Sequence, residues 1–247
     1  MVVTRRNHRT LKALARDDAS SHVFNAVRRL VSDQWLDTWA PDLLRRLLAG
    51  VTSIDAPLAL VEILSESPIF RPSVLAVRYC RLATFVDDLP AATLASVTHL
   101  TGYFPGGNDA ARALTEDRVA HMLARLPALS HVAFDVLDLN TVDSDGDDED
   151  DGITPGLLEL DALERALRAT LQHARIAVVA LRVGGDWMHH GPAVLDIARK
   201  LRDPRLRVWH DERPMTSWVR EENYAAADAW AGRSIWTEAK QVWPPSP

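Results

Sequence analysis

One cysteine, Cys80, stands in the whole 247-residue chain, so neither an intrachain disulfide nor a four-cysteine zinc site is available, and a reducing compartment is expected. Long apolar runs are missing as well. Nowhere do about 18 uncharged apolar residues follow one another, and the start, MVVTRRNHRTLKALARDD, has basic residues without the apolar stretch of a secretion signal. The expectation is an intracellular chain, cytoplasmic or nuclear, with no membrane partner. Positive charge is short too: 28 Lys and Arg face 34 Asp and Glu, a net charge of -6. Duplex phosphates demand clustered cations, which speaks against nucleic acid as the main partner. The local cluster Arg5, Arg6, His8 and Arg9 reads as an exposed basic terminus or a nuclear signal. Also absent are GxGxxG, GxxxxGK[ST] and GxSxG, so no cofactor loop and no nucleophile elbow is predicted.

What is present is a returning pattern. LPALSHVAFDV sets Leu126, Leu129, Val132 and Phe134 at the spacing of a helix end, a turn and a short strand with alternate side chains turned inward. Weaker copies occur at LAGVTSID, LASVTHLTG and LRDPRLRVW, with further short apolar runs at AVRRLV, VLAVRY and RIAVVALRV. With Leu30, Ile54, Val77, Leu100, Val132, Val179 and Leu206 as anchors, the first three gaps are 24, 23 and 23 residues. Those gaps lie within the leucine-rich-repeat range of about 20–29. The later gaps, 32, 47 and 27 residues, are longer than these first three and are read as holding insertions.

Helical segments fall between the anchors: PDLLRRLLAG, APLALVEIL, LTEDRVAHMLARLP, LELDALERALRATLQ and GPAVLDIARKLRD. Thr115 fits an N-cap, Pro41 and Pro192 fit positions near a helix start, and Gly50 follows a helix end. Leu160, Leu163, Leu167 and Leu171 make one apolar stripe. Strand and helix in alternation mean parallel units, none of which buries its own apolar face alone. The expected fold is therefore α/β, a leucine-rich-repeat-like solenoid of parallel strands with helices on the outer face. An ordinary doubly wound α/β domain is the competing architecture, disfavoured by the missing phosphate loop.

The longest gap holds VDSDGDDEDDG, seven acidic residues in eleven. With Gly146 or Gly152 at position 6 of an EF-hand loop, the closing Glu at position 12 is replaced by Gly152 or Leu158. Like charges repel and stay solvated, so residues 140–156 are read as a disordered insertion, with a weak cation atmosphere or a basic partner as secondary readings.

Titratable groups gather at GGDWMHHGP and WHDERP. Asp186, His189, His190 and His210 could serve a metal-dependent hydrolase. Adjacent histidines do not share a helix face, however, and a polar strand-to-helix turn with Gly191 and Pro192 starting the next helix is the plainer account. Cys80 reads as a small residue near a strand end, and Asp87 with Asp88 is too generic a pair for acid-base work. No catalytic or metal residue is assigned. Trp218, Trp230, Trp236 and Trp243 are half of the eight tryptophans, and they predict a helical cap over the last repeat or an aromatic partner surface.

The stretches LARLPALSHVAFDV, IAVVALRVGGDW and DPRLRVWHDERPMTSWVREENYAAADAWAG resemble the C-terminal portion of fungal F-box-type proteins with degenerate leucine-rich repeats, from about Val27 onward. The resemblance implies a substrate-binding scaffold for a ubiquitin ligase. Residues before Val27 show no LPxE-type F-box helix, so contact with the ligase core would need an F-box supplied elsewhere. The expected organisation is a basic, flexible or helical segment over 1–26, the repeat domain over 27–212 and a Trp-rich cap and tail over 213–247.

The expected function is noncatalytic binding of a protein partner whose identity is unknown. Strand parity names the face: with Val132 and Phe134 inward, Arg29, Asp55, Arg78, His99, Thr101, His131, Asp135, Arg182, Arg207 and Trp209 point outward. Replacing Trp209 and Arg182 by alanine is expected to weaken partner binding without lowering the thermal midpoint.

Overall fold

The computed structural model describes residues 1–4, 7–17, 20–32, 36, 39–81, 85–103, 115–136, 155–183, 187–211 and 234–242. At 21, 79–81, 103, 155–159 and 187–190 the backbone alone is described. In chain order the elements are β1 (Val2–Val3), α1 (His8–Arg16), a 3-10 turn (Ser21–Ala26), β2 (Arg29–Ser32), α2 (Pro41–Leu48), β3 (Ser53–Pro57) and α3 (Leu58–Ser65). There follow β4 (Val74–Arg81), a 3-10 turn (Phe85–Asp87), α4 (Ala91–Leu94), β5 (His99–Tyr103), α5 (Glu116–Arg125), β6 (His131–Val136) and α6 (Pro155–Gln172). The chain then forms β7 (Val178–Val183), α7 (Trp187–Leu201), β8 (Leu206–His210), α8 (Ile235–Glu238) and β9 (Lys240–Gln241).

The strands form one sheet of nine in chain order, β1 to β9, parallel throughout except for β9, which runs antiparallel to β8. A doubly wound sheet reverses its strand order at a switch point, and there its ligand crevice opens. The order here never reverses among the described strands, so that competing architecture and its crevice are excluded.

Register explains the repeating anchors. Leu30, Ile54, Leu75, Leu100, Val132, Val179 and Leu206 align across seven strands, none more than 1% exposed. Val77 does not belong to this row. It aligns with Ala56, Gly102, Phe134, Leu181 and Val208 one pleat further along, so Leu75 is the fourth-strand anchor and the adjoining gaps are 21 and 25 residues. Both rows join one apolar core with Leu44 and Leu48 of α2, Leu60 and Leu64 of α3, Val119 and Leu123 of α5, Leu163 and Leu167 of α6, and Val194 of α7. Removing such side chains from water, at roughly 25 cal/mol per Å² of apolar surface, is the main force holding sheet and helices together.

Polar atoms tie neighbouring units at the strand entrances. The hydroxyls of Thr52, Ser73, Thr98 and Ser130, each two residues before an anchor, donate to the carbonyls of Arg28, Thr52, Ser73 and Thr98 respectively. The amide N–H groups of the same four residues donate to the same carbonyls. On the helix side arginines play the corresponding part. Arg125 donates to the carbonyls of Val86 and Leu89, Arg175 to that of Leu123, and Arg205 to those of Leu171, His173 and Ile176. These carbonyls lie at helix ends and turns, where backbone acceptors lack intrahelical partners.

Helix starts follow the sequence in two cases and depart in a third. Pro41 occupies the first turn of α2, and the Thr115 hydroxyl accepts from the Arg118 N–H at 3.4 Å. Pro192 does not start its helix: α7 begins at Trp187 and carries Pro192 inside it. As the sixth residue of the helix it lies past the first turn, where it removes one backbone hydrogen bond and crowds the carbonyl four residues earlier. The acidic run lies outside the described residues, but α6 begins at Pro155, within the last residues assigned to the insertion.

Candidate protein-binding face

Three register rows cross the sheet at the positions whose parity faces away from the main helices. The first aligns Arg29, Ser53, Val74, His99, His131 and Val178. The second aligns Val31, Asp55, Ala76, Thr101, Ala133, Ala180, Arg207 and Gln241. In the third, Pro57 aligns with Arg78, and Tyr103 with Asp135, Arg182 and Trp209. All ten residues assigned from strand parity therefore share one face. They do not share one environment. Arg29 is exposed, and the other nine are partly buried.

Arg182 is the most committed of them. Its guanidinium donates to Asp135 Oδ2 at 3.1 Å and to Asp211 Oδ2 at 2.8 Å, and its central carbon lies 4.8 Å from the centre of the Trp209 ring. Its side chain is 14% exposed and that of Asp211 only 3%. Burial pushes the Asp135 carboxyl above the usual carboxylate range against the opposing pull of Arg182, and nearby Asp55 and Asp211 push it further the same way. Asp135 Oδ1 is buried without a hydrogen-bond partner among the described residues. Arg182 therefore neutralises buried carboxylates, and its removal is not the neutral probe of binding that the sequence suggested. Nearer the N-terminal edge, Arg78 Nε donates to Asp55 Oδ1 at 2.5 Å.

His99 and His131 are register neighbours, and their rings stack with centroids 4.0 Å apart and planes 16° apart. The preceding hydroxyls fix them: Thr98 Oγ1 lies 2.9 Å from His99 Nδ1, and Ser130 Oγ lies 2.8 Å from His131 Nδ1. Burial lowers both imidazole pKa values. His131 adds to the effect at His99, and Arg207 adds to it at His131. Trp236 stands edge-on to both rings, with centroids at 5.2 and 5.8 Å.

Trp236 belongs to α8, whose Ile235, with Ala239 just after the helix, forms a small apolar cluster with Ala133 and Ala180 of the sheet, against which Trp236 and Trp209 also pack. A capping box between Ser234 and Thr237 closes the start of this single turn. The C-terminal segment was expected as an end cap or a partner surface. Residues 240–241 do cover the β8 edge, but α8 lies over the sheet face itself. Trp218, Trp230 and Trp243 lie outside the described residues.

The hydrolase alternative divides between faces and beyond the described region. His210 ends β8 aligned with Val183, and so lies on the helix-side parity opposite to the ten-residue face. His189 and His190 lie within α7 with only their backbone described, and Asp186 lies outside the described residues. Among the described residues no three His, Cys, Asp or Glu side chains gather as metal ligands. One titratable pair escaped the sequence reading: His121 Nε2 lies 2.7 Å from Asp87 Oδ1, with Arg118 at 3.8 Å from the same carboxylate. The hydrogen bond from His121 holds the Asp87 carboxyl below its usual range. Only its separation of 34 residues in sequence hid the pair, and both side chains are about half exposed, which suits a surface tie between α5 and the 3-10 turn. No described helix is long and apolar enough to cross a membrane. Searches of family models, of curated proteins and of solved structures find no match to this chain.

Proposed function

We propose that the chain is a noncatalytic protein-binding scaffold, built as a leucine-rich-repeat-like solenoid and related to the substrate-recognition portion of F-box proteins. The observation that supports this reading best is the in-register arrangement of Arg29, Asp55, Arg78, His99, Thr101, His131, Asp135, Arg182, Arg207 and Trp209 on the sheet face opposite the main helices. Sheet order without reversal supports it too, since right-handed crossovers between successive parallel neighbours place the connecting helices α2, α3, α5, α6 and α7 on one side, opposite the ten-residue face. Mixed charge with one aromatic anchor, Trp209, suits a protein segment.

The test is quantitative affinity purification from cell extract with the full chain, the face variants Thr101→Arg and Arg207→Glu, and Arg199→Glu on α7 as a control away from the face. Proteins retained by the wild type and the control but lost from both face variants are expected. Identical retention by all four chains would reject the face. Co-purification of ubiquitin-ligase core subunits would carry the F-box relation, and their absence among partners lost from the face variants would confine the chain to binding alone.

A further inference from the structure

The sheet face offers one place shaped for a particular side-chain set. Most positions in its rows carry long or polar residues, but Ala133 and Ala180, adjacent in register and fully buried, present only methyl groups beside the stacked His99 and His131 and Trp209, a low point in the row that Ile235 and Ala239 cover. The imidazoles are held in place before any ligand arrives, because the Nδ1 of each ring contacts the hydroxyl of the residue preceding it in the chain. Preorganised walls reduce the ordering cost of binding.

The present occupant is weakly secured. α8 is one turn of four residues, and β9 pairs with β8 over two residues only. A helix this short has no intrinsic stability in water and exists through what it packs against. Among the described residues the segment's side-chain packing is that of Ile235 and Ala239 on the alanines, Trp236 edge-on to the histidines and Val242 against the main core.

We propose that this low point is a receptor for a short helical segment carrying adjacent aliphatic and aromatic side chains with a small residue one turn later, that residues 234–242 occupy it as an internal competitor, and that a protein partner presents such a segment and displaces them. The proposal rests on the sheet face being the binding surface. It adds the chemistry of the partner and a reason for the seat's occupation in the free chain: an uncovered apolar patch among aromatic rings would expose the chain to indiscriminate association.

The experiment uses a fluorescent peptide of residues 234–242 with the full chain and with Trp236→Ala in the full chain, read by anisotropy. The peptide is expected to bind the variant about tenfold more tightly than the wild type, a difference of about 1.4 kcal/mol. A peptide lacking its own tryptophan is expected to bind neither chain. Equal affinity for both chains, no binding to either, or binding independent of the peptide's tryptophan would overturn the proposal. Should Trp236→Ala lose its cooperative thermal transition, Ser234→Ala with Thr237→Ala opens the capping box while leaving the seat intact, and a gain of about threefold is expected, about 0.6 kcal/mol. No gain there overturns the competitor role. Partners that depend on Thr101 and Arg207 but ignore Trp236→Ala would leave the binding face standing and remove only the competitor. A peptide that binds the opened seat when no cellular partner depends on the face would do the reverse.

Discussion

His99 and His131 lie face to face at 4.0 Å on neighbouring parallel strands, with the edge of Trp236 against both. Burial lowers both imidazole pKa values below the ordinary histidine value, and the charge of His131 adds to the effect at His99 while that of Arg207 adds to it at His131.

That depression fixes a pH dependence. The unfolded chain protonates these two side chains near pH ~6.5, before the folded chain does, so their contribution to stability is full above that pH and is lost as pH falls through the folded values. Asp135 acts in the opposite sense, because its raised carboxyl pKa adds stability below about pH 3.9, which is lost as pH rises through its folded value. Urea midpoints measured from pH 7.5 down to pH 5 should fall for the wild type and fall less for His131→Gln. Parallel curves would contradict the burial of the pair.

Arg182→Ala is expected to cost about 3–5 kcal/mol, because it takes the guanidinium away from Asp135 and from the buried Asp211. Adding Asp135→Asn should recover part of the loss. Chemical denaturation reads both, and a single-variant loss below about 1 kcal/mol would mean that water or another cation replaces the guanidinium.

Thr98→Val removes a hydroxyl that donates to the Ser73 carbonyl and contacts His99 Nδ1, while that carbonyl keeps the N–H donors of Thr98 and His99. A loss of about 0.5–1.5 kcal/mol is expected, with a changed His99 titration by NMR. An unchanged titration would separate the hydroxyl ladder from the histidine stack.

Arg205→Met should be costlier than a typical surface change, about 1–3 kcal/mol, since the carbonyls of Leu171, His173 and Ile176 share that one guanidinium. Hydrogen exchange near the C-terminal end of α6 is expected to rise first. Uniform exchange across the chain would show that these bonds are redundant.

The face was legible from sequence because strand parity is strict: once Val132 and Phe134 point inward, His131 and Asp135 must point outward. Parity does not fix register, which is why Val77 stood in for Leu75, two residues away on the same side. The hydroxyls of Thr52, Ser73, Thr98 and Ser130 were visible in the sequence, but their common offset emerges only when the anchor on β4 is Leu75. Burial was the harder quantity. Nothing in LRVGGDW indicates that Arg182 meets an aspartate 47 residues upstream and another 29 residues downstream. Four residues of α8 likewise leave no periodicity to follow, and the Asp87–His121 contact depends on how α5 packs.

The reversed direction of the last strand limits how this architecture grows. A further unit of the same kind would have to lie parallel to β8, on the rim that Lys240 and Gln241 already occupy in the opposite sense. Lengthening by duplication would therefore have to insert new units within the array or add them at the β1 rim, and stacking of copies through the β8 side is obstructed at the outset.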